Sequence, residues 1–263
     1  MNEDRLDKLR HALEVTLRKA GKIALDRFQR RDFTTLSKGA QDFVSEVDRE
    51  TETLLKQELV DLCPEAGFLG EEYGGKIEDL SWVIDPIDGT SNFVRGIPLW
   101  CLSVALVERG RPVVGAIYDP NADEMFSAAL NRGATLNGKP IAVSQTETAD
   151  TAILGISFSF KSDPERHHAV LRSMMEQRGL YRFFGSGALA LAYCAAGRTD
   201  GFWEDWMMPW DVAAGLILVS EAGGMVSDYR QGDGWEKGNA ILATNRNLAS
   251  MLSDLTGLTL IDH

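Results

Sequence analysis

The sequence has few cysteines and no long hydrophobic run, and both absences narrow the possible kinds of protein. Only Cys63, Cys101 and Cys194 occur, and no two of them have a Cys-x-x-Cys spacing. A disulfide scaffold or a zinc site is therefore not expected, and a reducing cytoplasm is the predicted location. Residues 1–8 are charged, so neither a signal peptide nor a membrane span is expected.

Positive charge is also scarce. Lysine and arginine number 27 against 39 aspartates and glutamates, which gives a net charge of −12. This balance disfavours nucleic acid or an anionic membrane as the main partner, although excess acid by itself shows only that the chain is soluble. With 263 residues and 44% hydrophobic content, the chain is long enough for one large domain or two small ones.

Apolar periodicity predicts two helices near the start of the chain. Leucines and alanines recur at three- and four-residue steps over 4–30, and a second helix is expected over about 45–62. The intervening residues 31–43 lose this period and are interpreted as a mobile loop. Short strands are predicted at 68–69, 82–84, 102–107 and 113–118, and hairpin turns at 109–110 and 137–138.

From residue 151 onward, predicted strands and helices alternate more regularly. Strands are expected at 151–158, 201–203, 225–227 and 241–243, and helices at 164–178, 187–196, 211–221 and 247–255. This pattern predicts a layered α/β or α+β protein. The polar stretch 144–150 suggests a boundary there.

The segment 82–93, WVIDPIDGTSNF, is the most informative part of the chain. An apolar strand end precedes Asp85 and Asp88, and Pro86 is expected to stiffen a turn between the two carboxylates. Residues 89–91 then suggest the first turn of a helix. Carboxylates suit hard cations, and helix starts suit phosphate. Their adjacency predicts metal-assisted attack on a phosphate ester.

Other acidic residues follow predicted strands or begin helices, and these are expected to converge with the first pair. Glu71 and Glu72 follow a short strand, and Asp211 begins a helix. No histidine or cysteine lies nearby in sequence, which favours magnesium over zinc. Each feature alone has a simpler interpretation as a turn, a solvated pair or a helix N-cap, and Asp48 alone is typical of a surface helix.

Together these motifs resemble the inositol monophosphatase family over residues 5–258. The resemblance rests on Gly70-Glu71-Glu72, on 82–93, and on 210–215 followed by Glu221-Ala222-Gly223-Gly224. It implies an α+β fold, layered as an αβαβα sandwich. It also implies a magnesium-dependent, lithium-sensitive phosphatase that acts without a covalent intermediate.

The resemblance implies a role for each site residue. Glu71, Asp85 and the Ile87 carbonyl would hold one Mg2+, with Asp85, Asp88 and Asp211 holding a second. A third, more weakly held Mg2+ would bind Glu71 and water molecules, and Mn2+ could substitute for Mg2+. Thr90 and Asp48 would orient the attacking water, and Gly89 and Thr90 would bind phosphate through their N–H groups. Lys38 matches a family lysine, although its spacing to Asp48 is one residue short.

Substrate choice is expected to depend on the second half. The resemblance places Glu204 and Gly187 at the hydroxyl groups of a polyol, with Asp88 nearby. Two features depart from the family pattern: Gly187 replaces a usual alanine, and 206–209 (WMMP) is bulky and apolar. Two interpretations stay open: these residues change the shape of the substrate pocket, or they only fill gaps in the core. Inositol 1-phosphate is the first expected substrate, and histidinol phosphate, an amino alcohol ester, is the alternative.

Domain organisation and partners complete these expectations. Residues 1–146 are predicted to form an N-terminal α+β half with most metal ligands. Residues 147–263 would form a C-terminal α/β half with Asp211 and the specificity residues. The family implies a homodimer, and a non-catalytic binding role is the competing hypothesis. His167 and His168 are interpreted as surface residues.

Overall fold

The computed structural model describes residues 1–39 and 42–261. Within residues 37–44 it describes the backbone alone. Its helices are α1 (Glu3–Arg30), α2 (Glu46–Leu62), α3 (Thr90–Arg95), α4 (Pro164–Glu176), α5 (Gly187–Ala195), α6 (Pro209–Glu221), α7 (Gly234–Lys237) and α8 (Ala249–Thr256). Its strands up to residue 140 are β1 (Thr35–Gly39), β2 (Asp42–Ser45), β3 (Gly67–Gly70), β4 (Gly74–Gly75), β5 (Leu80–Asp88), β6 (Cys101–Glu108), β7 (Arg111–Asp119), β8 (Glu124–Ala129), β9 (Ala134–Leu136) and β10 (Lys139–Pro140). The later strands are β11 (Ile153–Ile156), β12 (Leu180–Arg182), β13 (Gly201–Met207), β14 (Met225–Ser227), β15 (Asn239–Thr244) and β16 (Leu260–Ile261).

Two large mixed sheets organise the chain. The first has eight strands in the order β10-β9-β8-β7-β6-β5-β3-β4, and only β3 and β5 run parallel to each other. The second has six strands in the order β12-β11-β13-β15-β14-β16, with β11 parallel to both of its neighbours. The strands β1 and β2 form a separate hairpin.

Alternating side chains on the strands produce five layers. On β6, Leu102, Val104 and Leu106 pack on the side of α1 and α2, whereas Ala105 and Val107 pack on the side of α5 and α6. Successive residues of a strand point to opposite faces, so an apolar strand buries both faces only when helices cover each one.

The second sheet repeats this arrangement. Phe202 and Ile241 face the central helices α5 and α6, while Trp203 and Leu242 pack in a cluster with residues of α4 and α8. The order is therefore α1/α2, first sheet, α5/α6, second sheet, α4/α8. This is the α+β, αβαβα sandwich expected from the sequence.

The predicted boundary near 146 falls between the last strand of the first sheet and β11. One hydrophobic cluster, however, includes Val83 and Ile117 from the first sheet together with Leu189 and Phe202 from the second half. The two halves therefore share the central layer. Their division into separate units stays a prediction.

Three sequence interpretations need correction. Residues 31–43, interpreted as a loop, contain β1 and the first half of β2, because Leu36, Ser37 and their partners pair across an antiparallel hairpin. The strand expected over 151–158 is limited to Ile153–Ile156. His167 is not a surface residue: it is 6% exposed and its ring stacks on Trp203 at 5.7 Å, whereas His168 is exposed.

No helix within residues 1–39 and 42–261 has both the length and the apolar character that crossing a membrane requires.

Gly115 determines how closely the central helix α6 packs on the first sheet. A Cβ atom there would lie 2.6 Å from Ile217 Cγ2 and 3.0 Å from the Ala214 carbonyl oxygen. We expect Gly115→Ala to lower the free energy of unfolding by about 1–3 kcal/mol through overpacking. The measurement is chemical denaturation. Gly67→Ala is the control, because its new methyl meets only the flexible end of Glu78; equal stability of the two variants would contradict the packing argument.

Candidate active site

A bulge in β5 brings Asp85 and Asp88 to one face of the first sheet. Asp85 pairs with Ser103 and Asp88 pairs with Cys101. Between these pairs, β5 contains two residues and β6 contains one. In a regular strand, residues three apart point to opposite faces, and a one-residue bulge restores the same side. The segment was interpreted as a turn stiffened by Pro86. It is instead a bulged strand, with Ile87 buried on the opposite face.

The start of α6 adds a third carboxylate. Asp211 stands in the first turn, where its Oδ2 accepts a hydrogen bond from the Met208 N–H at 2.9 Å. The Ser103 hydroxyl donates to the Trp210 carbonyl at 3.3 Å, which ties this helix start to β6. One oxygen each from Asp85, Asp88 and Asp211 lie within 4.8 Å of one another.

This grouping is electrostatically costly unless a cation is present. Asp85 is 1% exposed, and burial raises its pKa well above the ordinary value, with the charges of Glu71, Asp88 and Asp211 adding to the rise. Burial likewise raises the pKa of Asp211, and Asp88 contributes. The Cys101 thiol donates a weak hydrogen bond to Asp88 Oδ2 at 3.7 Å, and the remaining groups of the cluster are carboxylate oxygens. Carboxylate oxygens are the donor set of hard cations such as Mg2+. The three aspartates therefore fit a divalent metal site.

The N-terminus of α5 fixes the carboxylate of Asp88. The Ser186 hydroxyl and the Ala188 N–H, at 2.8 Å, both donate to Oδ2, and the Gly187 N–H donates to Oδ1 at 3.3 Å. These bonds favour the charged form, although burial still leaves the pKa of Asp88 raised. Gly187 was expected at the substrate and not at Asp88, and the bond from Ser186 to Asp88 was not predicted because a serine before a helix is typical of an ordinary N-cap.

Glu71 lies beside this cluster, and a second glutamate that the sequence analysis missed holds its turn. The Glu71 N–H donates to the Ile84 carbonyl at 3.2 Å, at the junction of β3 and β5. The carboxylate of Glu52, on α2, accepts from the N–H groups of Glu72 at 2.8 Å and Tyr73 at 3.3 Å. Glu52 is fully buried, but no local pattern distinguishes it from a solvated helix residue.

Asp48 and Thr90 form a hydrogen-bonded pair at the start of two helices. Asp48 Oδ2 accepts from the Ser45 N–H at 2.9 Å and hydroxyl at 2.5 Å, while Oδ1 accepts from Thr90 at 3.2 Å. The Thr90 hydroxyl also lies 3.0 Å from the Ile87 carbonyl. Asp48 is fully buried rather than a surface residue, and burial raises its pKa to about 6.

The remaining predicted residues have different outcomes. Gly89 precedes α3 with φ +96°, so its N–H and that of Thr90 lie at a helix start. Glu204 is 6% exposed on β13, and burial raises its pKa to about 8, with Asp88 and Asp205 adding to the rise. Lys38 belongs to β1, but its side chain lies outside what the structure describes. The functional roles of all these residues stay predictions.

The sequence and the fold are similar to those of known proteins. The model of the inositol monophosphatase family matches residues 5–258. The Nus factor SuhB of Escherichia coli K12 is 37% identical over 245 residues, which cover 90% of this chain and 92% of the relative. A crystal structure of extragenic suppressor protein suhB from Bartonella henselae has a TM-score of 0.87 at 35% identity, covering 94% of this chain and 97% of the other. The Thermotoga maritima IMPase has a TM-score of 0.84 at 32% identity, with 97% of both chains covered.

The layered α+β fold is thus shared with solved relatives. The chain belongs to the inositol monophosphatase family. Its phosphatase ancestry follows from that membership, whereas the relatives' names divide between IMPase and Nus factor.

Removing one charge from the cluster has opposite effects with and without metal. We expect Asp85→Asn to raise the free energy of unfolding in EDTA at pH 7, by about 1–3 kcal/mol, because a buried charge is removed. A raised folded pKa costs stability above the unfolded value, so the gain should vanish below about pH 4. Mg2+ should raise the melting temperature of the wild type but not of the variant.

Asp119→Asn is the matched control. Asp119 is also buried, but it lies outside the cluster and accepts bonds from the Asn121 and Ala122 N–H groups at 2.8 and 3.2 Å. Because burial also raises the pKa of Asp119, and because asparagine keeps the accepting Oδ1, this variant should likewise gain stability in EDTA at pH 7, but it should keep its response to Mg2+. A metal-dependent stabilisation of Asp85→Asn equal to that of the wild type would contradict the cluster's assignment.

Proposed function

We propose that this chain is a Mg2+-dependent phosphomonoesterase that hydrolyses a small polyol monophosphate. The observation that carries the proposal is the cluster of Asp85, Asp88 and Asp211 beside the Asp48–Thr90 pair. A cation at such a site neutralises the charge of a phosphate ester, and the N–H groups at a helix start bind its oxygens. Family membership supports the same reaction class.

In this proposal Glu71, Asp85 and the Ile87 carbonyl hold one Mg2+, and Asp85, Asp88 and Asp211 hold another. When bound, such ions lower the pKa of water and neutralise charge on the phosphoryl oxygens. Asp85 would contribute to both sets, because the charges of Glu71, Asp88 and Asp211 all act on its carboxyl. The proposal also includes a third, more weakly held ion beside Glu71. It further includes replacement of Mg2+ by Mn2+ and inhibition by Li+.

The Asp48–Thr90 pair orients the attacking water. Thr90 donates its only hydroxyl hydrogen to Asp48 or to the Ile87 carbonyl, so its oxygen lone pairs are available to accept a hydrogen bond from the attacking water. A pKa near 6 makes Asp48 an effective acceptor near neutral pH. Because Gly89 and Thr90 begin α3, their N–H groups are placed for the phosphate oxygens.

Glu204 and the start of α5 form the substrate-recognition end in this proposal. Both contact or influence Asp88, so a polyol held there lies next to the cluster. A Cβ on Gly187 would lie 2.1 Å from Cε of Met207, so the bulky methionine and the small glycine complement each other. Inositol 1-phosphate is the substrate that we propose first. Histidinol phosphate is the alternative, because the Glu204 carboxylate could pair with its amine.

We expect phosphate release from inositol 1-phosphate in Mg2+ and none in EDTA. Glu204→Gln, measured at pH 9 where a group with a pKa of about 8 is charged, should raise KM for the preferred polyol ester about tenfold, since one charged hydrogen bond is worth about 1.5–3 kcal/mol. Its effect on p-nitrophenyl phosphate, which has no hydroxyl for Glu204, should be below threefold. The measurement is kcat and KM for inositol phosphates, histidinol phosphate and p-nitrophenyl phosphate.

Arg230→Gln serves as a control, because this exposed side chain pairs only locally with Asp228. If Glu204→Gln impaired every ester equally, the residue would not recognise hydroxyls. If the folded wild type released no phosphate from any ester, the phosphatase proposal itself would fail.

The names of several relatives favour a second candidate, a regulatory binding role. Proteins such as that of Escherichia coli K12 are named Nus factor SuhB. For this reason the expectations of no nucleic-acid partner, no membrane partner and a cytoplasmic location stay predictions. Failure of catalysis in a folded, metal-binding protein would favour this second role.

We also propose a homodimer that forms through an exposed aromatic surface. This surface consists of Phe158, Phe160, Leu180 and Phe183, which are 39–74% exposed and lie beside edge strand β12. The rings of Phe158 and Phe160 lie 5.7 Å apart. Exposed apolar side chains that cluster in this way are typical of protein interfaces. In a symmetric dimer, the same surface would be buried on both chains.

Phe183→Glu should convert a dimer into a monomer, because two like charges would face each other across the symmetric interface. Light scattering after gel filtration measures the mass. Val15→Glu, a change at a more exposed apolar residue of α1, should leave the dimer intact. A monomeric wild type, or a dimeric Phe183→Glu variant, would contradict the proposed surface.

A further inference from the structure

The side-chain amide of Asn92 joins two segments that are distant in sequence. Its Nδ2 donates to the Leu99 carbonyl at 2.7 Å and to the Phe184 carbonyl at 2.8 Å. An amide nitrogen carries two hydrogens, so both are used. Asn92 itself stands in the first half of α3.

Both segments lead directly to groups that hold Asp88. Residue 99 precedes β6, whose first residue, Cys101, pairs with Asp88. Residue 184 precedes the start of α5, where Ser186, Gly187 and Ala188 donate to the Asp88 carboxylate.

The contact between these segments is tight at two glycines. A Cβ on Gly185, whose φ is +72°, would lie 2.8 Å from Asn92 Nδ2. A Cβ on Gly89 would lie 3.0 Å from the Leu99 oxygen and 3.1 Å from the Gly185 oxygen. The start of α3, the start of β6 and the start of α5 therefore meet at Asn92 with no room for adjustment.

We infer that Asn92 is a positioning residue: its two hydrogen bonds hold the start of α5 against α3 and so fix the Asp88 carboxylate. The inference rests on the proposed function, in which Asp88 is a metal ligand. No other residue type of similar size replaces this amide, because aspartate lacks donors and leucine leaves two carbonyls unpaired. A small shift of α5 would turn Asp88 away from Asp85 and Asp211.

Asn245 provides a matched control at another place in the fold. Its Nδ2 also donates twice, to Ser144 Oγ at 2.9 Å and to the Thr146 carbonyl at 3.0 Å. It is 2% exposed and follows β15, and none of its partners contacts an aspartate of the cluster. Asn245→Asp therefore removes an equivalent clamp without touching the site.

The test compares Asn92→Asp, Asn92→Ala and Asn245→Asp in the full chain. Mn2+ affinity is measured by titration calorimetry without substrate, kcat and KM with p-nitrophenyl phosphate, and stability by denaturation. We expect both Asn92 variants to bind Mn2+ about tenfold more weakly and to lose at least tenfold in kcat, as when other groups that orient metal ligands are removed. KM should change less than threefold, and Asn245→Asp should lose only stability.

Two results would overturn the inference. One is a folded Asn92 variant with Mn2+ affinity and kcat within twofold of the wild type. The other is a loss of affinity and kcat in Asn245→Asp that matches the Asn92 variants at equal stability, because the clamp would then act only through the fold. If Asn92→Asp does not fold, Asn92→Ala decides between these results. A wild type that binds no Mn2+ would instead refute the proposed function.

Discussion

Mutual repulsion among carboxylates, two of them buried and the third half-buried, is the constraint on which the site depends. Asp85, Asp88 and Asp211 present oxygens within 4.8 Å of one another, and burial raises the pKa of each. Such a group stays together only if the scaffold forces it or a cation compensates it. The scaffold does part of this through covalent connection, since the bulge in β5 leaves Asp85 and Asp88 no other face.

Hydrogen bonds from helix starts and strand ends provide the rest of the constraint. Asp88 is held by α5, Asp211 by the Met208 N–H, and Asp48 by Ser45 and Thr90. Each donor satisfies only part of a carboxylate, so other oxygen lone pairs remain directed at the cluster. The chain thereby fixes the positions of the ligands in advance, which lowers the cost of ordering them when a cation binds.

Much of this was predictable because the sequence carries the relevant patterns locally. Apolar periodicity predicted α1 and α2, and the acidic motifs predicted residues that do lie together. The bulge was not predictable, since Asp-Pro-Ile-Asp-Gly is equally typical of a turn, and only pairing with β6 decides between them. Glu52 and His167 were missed or misjudged for a related reason: their burial depends on contacts with residues far along the chain.

The contrast between Asn92 and Met207 explains why reaction class is easier to infer than substrate. Asn92 joins backbone carbonyls, so its contacts depend on the path of the main chain. Met207 meets Gly187 through a flexible side chain, so an exchange of volume between the two positions would preserve the packing. In the proposed function, the geometry of the metal ligands would therefore be fixed by the backbone, whereas specificity at the Glu204 end would depend on side chains that can change in compensating pairs.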